Sequence, residues 1–278
     1  MRRIVAALGE RKAVGIGAAI LLALVLAAVF APWIATYAPG RMRVAERLLP
    51  PGGAHWFGTD EFGRDIFSRV LFGGRVSLAV GAATVVVATI GGTLLGVLAG
   101  YLKRLDAVLS RVIDGMMAFP DILLAIAMVA LIRPPTLVNV VAALGVVYMP
   151  RVARVVRGST MVIREATFVD AARAVGASTP RILRCHVLPN LASPIAVQGS
   201  FVFAYAILAE AGLSFLGLGP TPETPTWGTI VAAGQDYAYQ ADWIVLFPGL
   251  AIVLAVFALQ MVGDALRDLM DPRLRRVV

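Results

Sequence analysis

Six long apolar segments decide what this chain can fold into: about Val14–Trp33, Val76–Tyr101, Gly115–Ile132, Leu137–Ala153, Pro194–Leu213 and Ile244–Gly263. Each is close to the ~20 residues that an α-helix needs to cross ~30 Å of hydrocarbon. Lipid offers no partner to a free N–H or C=O, so such segments close their own hydrogen bonds as helices. Apolar residues make up 59% of the chain and charged residues 15%, against roughly 45–50% and 25% in soluble domains. A soluble fold of 278 residues could not hide that much apolar surface. The sequence therefore predicts an all-α, polytopic membrane protein with six transmembrane helices. The first segment follows Arg2, Arg3, Arg11 and Lys12, as a signal peptide would. It is longer than the ~7–15 residues of a signal core and ends in Pro32-Trp33, so it reads as a retained span.

Charge sets the orientation. Eighteen of the 25 Lys and Arg lie before the first span, in 103–114, in 150–193 and after Asp264; the other seven fall on the opposite side. Basic residues accumulate on the cytoplasmic side of a membrane, so both termini and the 154–193 loop are expected in the cytoplasm. The expected divisions are 1–35 (tail and first helix), 36–75 (external loop with an amphipathic helix), 76–263 (five-helix core, with an external loop at 214–243) and 264–278 (cytoplasmic tail).

Several activities are excluded by composition. The net charge of +8 sits beside membrane segments rather than in a nucleic-acid patch, so no nucleic-acid partner is expected. Cys185, His55 and His186 make neither a disulfide framework nor a zinc set,. Neither Lys12 nor Lys103 follows a glycine, which rules out a G-x-x-x-x-G-K-[ST] phosphate loop,. No paired catalytic residues stand at membrane depth, and no chain of intramembrane acids supports a self-sufficient proton-coupled carrier. Gly91-Gly92, Gly96 and Gly100 have the small-x-x-x-small spacing of closely packed helices,.

The stretch from Arg164 to Pro189 is different in character. Phe168, Ala171, Ala172 and Val175 fall at i, i+3, i+4 and i+7 and form a narrow apolar face made largely of alanine,. Gly176 supplies a left-handed residue to end that helix. Thr179-Pro180 reads as an N-cap followed by proline at the first helical position, and Leu188-Pro189 as the stop of a second short helix.

Asp170-Ala171-Ala172, Gly176 and, after nine intervening residues, His186-Val187-Leu188-Pro189 resemble the E-A-A-x-x-x-G…I-x-L-P loop of bacterial ABC-importer permeases. Aspartate replaces glutamate at 170 and histidine replaces isoleucine at 186; H-x-L-P-N is the form of the dipeptide/oligopeptide/nickel group. Phe57-Gly58-Thr59-Asp60 through Arg64-Asp65 and Ser68-Arg69, Ser214-Phe215-Leu216-Gly217-Leu218-Gly219 with Trp227-Gly228, and Gly263-Asp264 to Asp271-Pro272-Arg273 are similar to segments of the second permease subunit of such importers. The resemblance runs from about Trp56 to Arg273. It implies a type I ABC-importer permease fold and a non-enzymatic permease subunit in the bacterial inner membrane, importing di- or oligopeptides, nickel chelates or glutathione. It also implies a second homologous permease, two cytoplasmic ATP-binding subunits holding ATP and Mg²⁺, and an external solute-binding protein or lipoprotein; lipid surrounds the spans. This chain itself is expected to bind no cofactor or metal. Glu165, Phe168, Asp170, Ala171, Ala172, Gly176, Leu188 and Pro189 are the implied ATPase-coupling residues.

Outside the loop, Thr59 reads as the N-cap of a helix whose first turn holds Asp60 and Glu61, with Ile66, Phe67, Val70 and Leu71 as its apolar stripe. The acids Asp60, Glu61 and Asp65 lack the spacing of a calcium loop. The 214–243 loop reads equally as a cover for the outer mouth of a pathway or a partner's docking place, and as a connector anchored by Trp227 and Trp243 at the membrane interface. Polar residues in or near spans are pathway candidates by default: Asp121, Asn139, Gln198, Glu210 and Gln260.

Overall fold

The computed structural model describes residues 2–132, 136–221 and 224–270. Helices α1 (Arg2–Val29) and α2 (Ala31–Ile34) lead into an irregular stretch that ends at Asp65. Then come α3 (Ile66–Tyr101), α4 (Lys103–Met117), α5 (Asp121–Leu131) and α6 (Leu137–Arg164). The short α7 (Thr167–Ala174) and α8 (Thr179–Ile182) precede α9 (Leu188–Phe215), α10 (Trp227–Gly234) and α11 (Trp243–Met270). No strand occurs among the described residues. Among the described residues, four helices are long and apolar enough to cross a membrane: α3, α6, the run Thr179–Phe215 and α11. The bent pair α4–α5 passes the same test only when taken together, and α1 contributes the shorter apolar stretch Val14–Val29.

The third span departs from expectation. It is not one straight helix: α4 and α5 meet at a 95° bend around Ala118-Phe119-Pro120. Proline at 120 cannot donate to a continuing helix and disfavours helical backbone before it. Asp106 and Asp114 give α4 a polar side, held to α6 by Arg157 (Nε to Asp106 Oδ1, 2.6 Å) and Arg154 (2.6 Å to Asp114). Residues 133–135, between the expected third and fourth spans, and the Asp271-Pro272-Arg273 motif lie outside the described residues.

Small residues govern the most extensive helix packing among the described residues, α3 against α6. A Cβ on Gly92 would meet Val152 Cβ at 2.6 Å, on Gly96 Ala153 O at 2.6 Å, and on Gly100 Arg157 O at 2.7 Å. The glycine stripe therefore packs helices, because only a backbone without Cβ can come this close. The main core joins α3, α5, α6, α7 and α9 through residues such as Val97, Val129, Leu144, Val156 and Leu191. A second cluster ties α1, α9, α10 and α11 to α3 through Ala28, Leu78, Ile207, Trp227 and Leu259.

The segment before α3 is knit together by charge. Asp65, not Thr59, caps α3: its carboxylate accepts from Ser68 N and Ser68 Oγ (2.8 and 2.7 Å) and from or to His55 Nδ1 at 2.8 Å. Thr59 instead bridges the loop, accepting from Leu49 N and donating to Glu46 O. Asp60 accepts from Arg64 N and Arg64 Nε (2.8 and 2.6 Å), closing a turn rather than opening a helix. Arg64 also reaches Glu61 at 3.2 Å, while burial pushes the Glu61 carboxyl above the usual carboxylate range. The stripe from Ile66 to Leu71 is the start of α3 itself, so the amphipathic helix and the second span are one element.

Loop 214–243 is likewise part of the body. Trp227 is buried rather than interfacial and donates from Nε1 to Val70 O at 3.0 Å. Thr226 and Thr229 form a reciprocal capping box at the start of α10. Trp243 donates to Thr59 O at 3.1 Å, and Phe247 stacks on Phe57 at 3.9 Å.

Candidate functional site

At the other end of the bundle, α6 runs out past Tyr101, the last residue of α3, where Arg164 donates to Gly100 O at 2.8 Å. Glu165 follows as the α6 cap, exposed and paired with Arg164 at 2.9 Å. α7 then lies across this end. Val169 and Ala172 point into the core, together with Ile182 and Val187. Phe168, Ala171 and Val175 point outward; Phe168 is 44% and Val175 84% exposed. The four-residue face expected from the sequence is thus divided: Ala172 is on the side that fixes the helix, and the remaining three form the free stripe. Val169 is the inward residue that the alanine pattern concealed.

Gly176 closes α7 with φ +82°. Ala177 N donates to Ala172 O and Gly176 N to Arg173 O, the paired bonds of a Schellman ending. A Cβ at 176 would meet nothing within 4 Å, so the backbone conformation, not crowding, demands glycine. Asp170 and Arg173 pair at 2.9 Å on the exposed side, and Arg173 also lies over the Tyr101 ring, 5.8 Å from its centroid.

The second half of the loop corrects two expectations. Ser178, one residue earlier than expected, is the N-cap of α8, and Thr179 belongs to its first turn. Leu188-Pro189 does not stop a helix: α8 passes through a π-turn at Leu183–Val187 directly into α9. The wider turn bonds Leu188 N to Leu183 O and moves the carbonyl that a proline ring would strike, so the chain absorbs Pro189 without breaking. Leu188 and Pro189 are exposed. His186 packs beside Phe168, ring centroids 6.2 Å apart, and its carbonyl accepts from Asn190 Nδ2 at 2.7 Å.

The polar residues of the spans do not gather at one place. Glu210 is fully buried and accepts from Ser214 Oγ and Thr226 Oγ1 (both 2.8 Å) and Ser77 Oγ (3.2 Å). Ser77 Oγ in turn accepts from Trp227 N; this network fastens loop 214–243 to α3 and α9. Asn139 holds the start of α6, donating from Nδ2 to Ile132 O. Gln198 lines a 750 Å³ cavity with Asn190, Ser193 and Arg267, and Gln260 is exposed on α11. Asp121 pairs with Arg151 of α6. Arg151 is not among the expected pathway residues, although an arginine following Pro150 in an apolar segment is itself a signal,.

A bundle of apolar helices that clamps a short, outward-facing apolar helix at one end is the build of a membrane transport subunit. Comparison with known proteins makes this specific. The chain belongs to the family described as binding-protein-dependent transport system inner membrane component, matched over residues 92–276; residues 1–51 match the N-terminal TM domain of oligopeptide transport permease C. It is 51% identical to a putative peptide transport system permease protein of Brucella suis biovar 1 (strain 1330), over 96% of this chain and 90% of that one. It is 43% identical to the dipeptide transport system permease protein DppC of Alkalihalophilus pseudofirmus (strain ATCC BAA-2126 / JCM 17055 / OF4), over 96% and 88%. The inward-facing MetNI methionine ABC transporter shares the fold, with a TM-score of 0.60 at 21% identity over 73% of this chain and 96% of that one. The protein is a multi-pass inner-membrane permease subunit of an ABC importer, with the type I permease fold.

Proposed function

We propose that this chain is one half of a peptide-importing channel, driven through α7 by ATPase subunits on the cytoplasmic side. The observation that carries the reading is the division of α7: Val169 and Ala172 bind it to the core, while Phe168, Ala171 and Val175 offer an uncovered apolar stripe. Exposed apolar side chains grouped on one helix face suit a groove on a partner. Val169 and Ala172 share a core with residues of α3, α6 and α9, so displacement of α7 is passed on to spans. Asp170, Glu165, Leu188 and Pro189 are likewise exposed.

In this reading both termini and α7 are cytoplasmic, as the basic residues require. Two ATP-binding subunits hold ATP and Mg²⁺, a second permease completes the pathway, and an external solute-binding protein delivers cargo. Closure of the ATPases pushes α7 and rocks the two permeases between inward- and outward-facing states, so that two sites are coupled through one bistable assembly. The peptide and dipeptide permeases to which this chain is similar support di- or oligopeptide cargo.

The test is a pull-down of tagged protein from detergent-solubilised native membranes, with subunits identified by mass spectrometry. The expected result is recovery of a second permease, ATPases and a peptide-loaded binding protein. Recovery of this chain alone, transporting in liposomes without ATP, would overturn the reading.

A further inference from the structure

Midway along α6, Tyr148 and Arg151 stand one turn apart. The Arg151 guanidinium pairs with Asp121 at the start of α5. It also lies over two aromatic rings, 5.7 Å from the centroid of Tyr148 and 5.0 Å from that of Tyr205 on α9. Tyr148 Oη donates to Tyr205 O at 3.3 Å, which holds the two helices in register. Asp121, Ile122, Tyr148, Tyr205, Leu208 and Ala209 line a cavity of about 340 Å³.

Two features set this cluster apart from the other buried polar network. Glu210 is sealed and meets three hydroxyl donors, as a structural anchor should be. Asp121 and Arg151 instead keep 30% and 31% of their side-chain surface exposed and have one principal charged partner each. Asp121 lines the cavity, and Arg151 sits beside it against the two tyrosine rings of its wall; charges so placed in a membrane protein are costly unless they serve a passing solute or each other. Here they can do both.

We propose that Asp121 and Arg151 form a recognition site for zwitterionic peptides inside the membrane, an inference that rests on the peptide-importer reading above. When the site is empty, the two charges neutralise each other. An arriving peptide exchanges that pair for two new ones: its α-ammonium meets the Asp121 carboxylate, and its α-carboxylate meets the planar fork of Arg151. Tyr205, Leu208 and Ile122, all exposed to the cavity side, receive apolar peptide side chains. Because the empty site is already neutralised, loss of the resident pair offsets part of what the two new pairs gain. Net binding is therefore weak enough to release cargo, as a transport site needs. The face opposite is completed by the second permease.

The test uses the complete transporter, with its binding protein, in proteoliposomes supplied with ATP. Uptake of radiolabelled dialanine is measured for wild type, Asp121→Asn and Arg151→Met. Each substitution removes a charge-assisted hydrogen bond, so uptake is expected to fall at least about tenfold. ATPase stimulation by the loaded binding protein is expected to stay near wild type, because α7 is untouched. A photoreactive leucyl-alanine dipeptide, irradiated during turnover, should label the 205–209 segment of wild type and lose that labelling in Asp121→Asn. Uptake by both variants within about twofold of wild type would overturn the site, as would labelling confined to other segments. Loss of uptake together with loss of ATPase stimulation, in variants that still assemble, would also overturn it in favour of a purely structural pair. Wild type that hydrolyses ATP but imports no dipeptide would instead overturn the peptide-importer reading.

Discussion

The two ends of this molecule treat their polar and apolar groups in opposite ways. At the loop end, Glu210, Thr226, Ser77 and Trp227 close a network in which each buried group has a partner within the chain. Arg64, Asp60, Asp65 and His55 do the same beside them. At the α7 end, Phe168 and Val175 are left in the open, and the exposed polar pair Asp170–Arg173 is bound only to its own helix and to Tyr101. The first end closes these networks within the chain; on the reading proposed above, the second is completed by another molecule. Side chains at the first should therefore govern stability, and those at the second should govern coupling with little effect on stability.

Substitutions can break or sharpen that contrast. Glu210→Ala removes the acceptor of three buried hydroxyls and should destabilise the solubilised protein by about 3 kcal/mol, read as a fall in the thermal unfolding midpoint. An unchanged midpoint would show that the network is decorative. Gly96→Val drives a side chain into Ala153 O and Val156. Overpacking of this kind costs about 2 kcal/mol and should reduce the yield of folded protein from membranes.

Gly176→Val forces a branched residue to φ +82°, at about 1–2 kcal/mol. Its stability effect should be smaller than its effect on ATP-driven uptake, which is expected to be lost while the protein remains in the membrane. Gly176→Asn, which tolerates the left-handed region better, should recover most of that uptake. Equal behaviour of the two would mean that backbone conformation is not what position 176 supplies. Phe168→Ala should move the unfolding midpoint by no more than about 0.5 kcal/mol equivalent, yet lower ATPase-coupled uptake. A large stability loss would place Phe168 in the fold rather than at a docking surface.

The sequence was most legible where periodicity and spacing act locally. Apolar length located α3, α6, α9 and α11, the glycine stripe foretold close packing, and Gly176 in its motif foretold a left-handed helix end. It was least legible where distant segments decide the outcome. Thr59 and Asp65 are both good caps by type, and the choice of Asp65 depends on His55 and on loop contacts ten or more residues away. Trp227 looked like an interfacial anchor until α10 folded back onto Val70. Pro189 resembled a helix stop because a π-turn has no simple sequence signal. Asp121 was marked as a candidate, but its partner Arg151 lies thirty residues on and only the packing of α5 on α6 joins them.

The central claim is that the exposed stripe of α7 is where the ATPase subunits dock. Tagged protein carrying Val175→Glu, purified from native membranes in mild detergent, tests it directly. Quantitative mass spectrometry should find the second permease at its wild-type ratio and the ATPases strongly depleted. ATPases retained at the wild-type ratio would contradict the account.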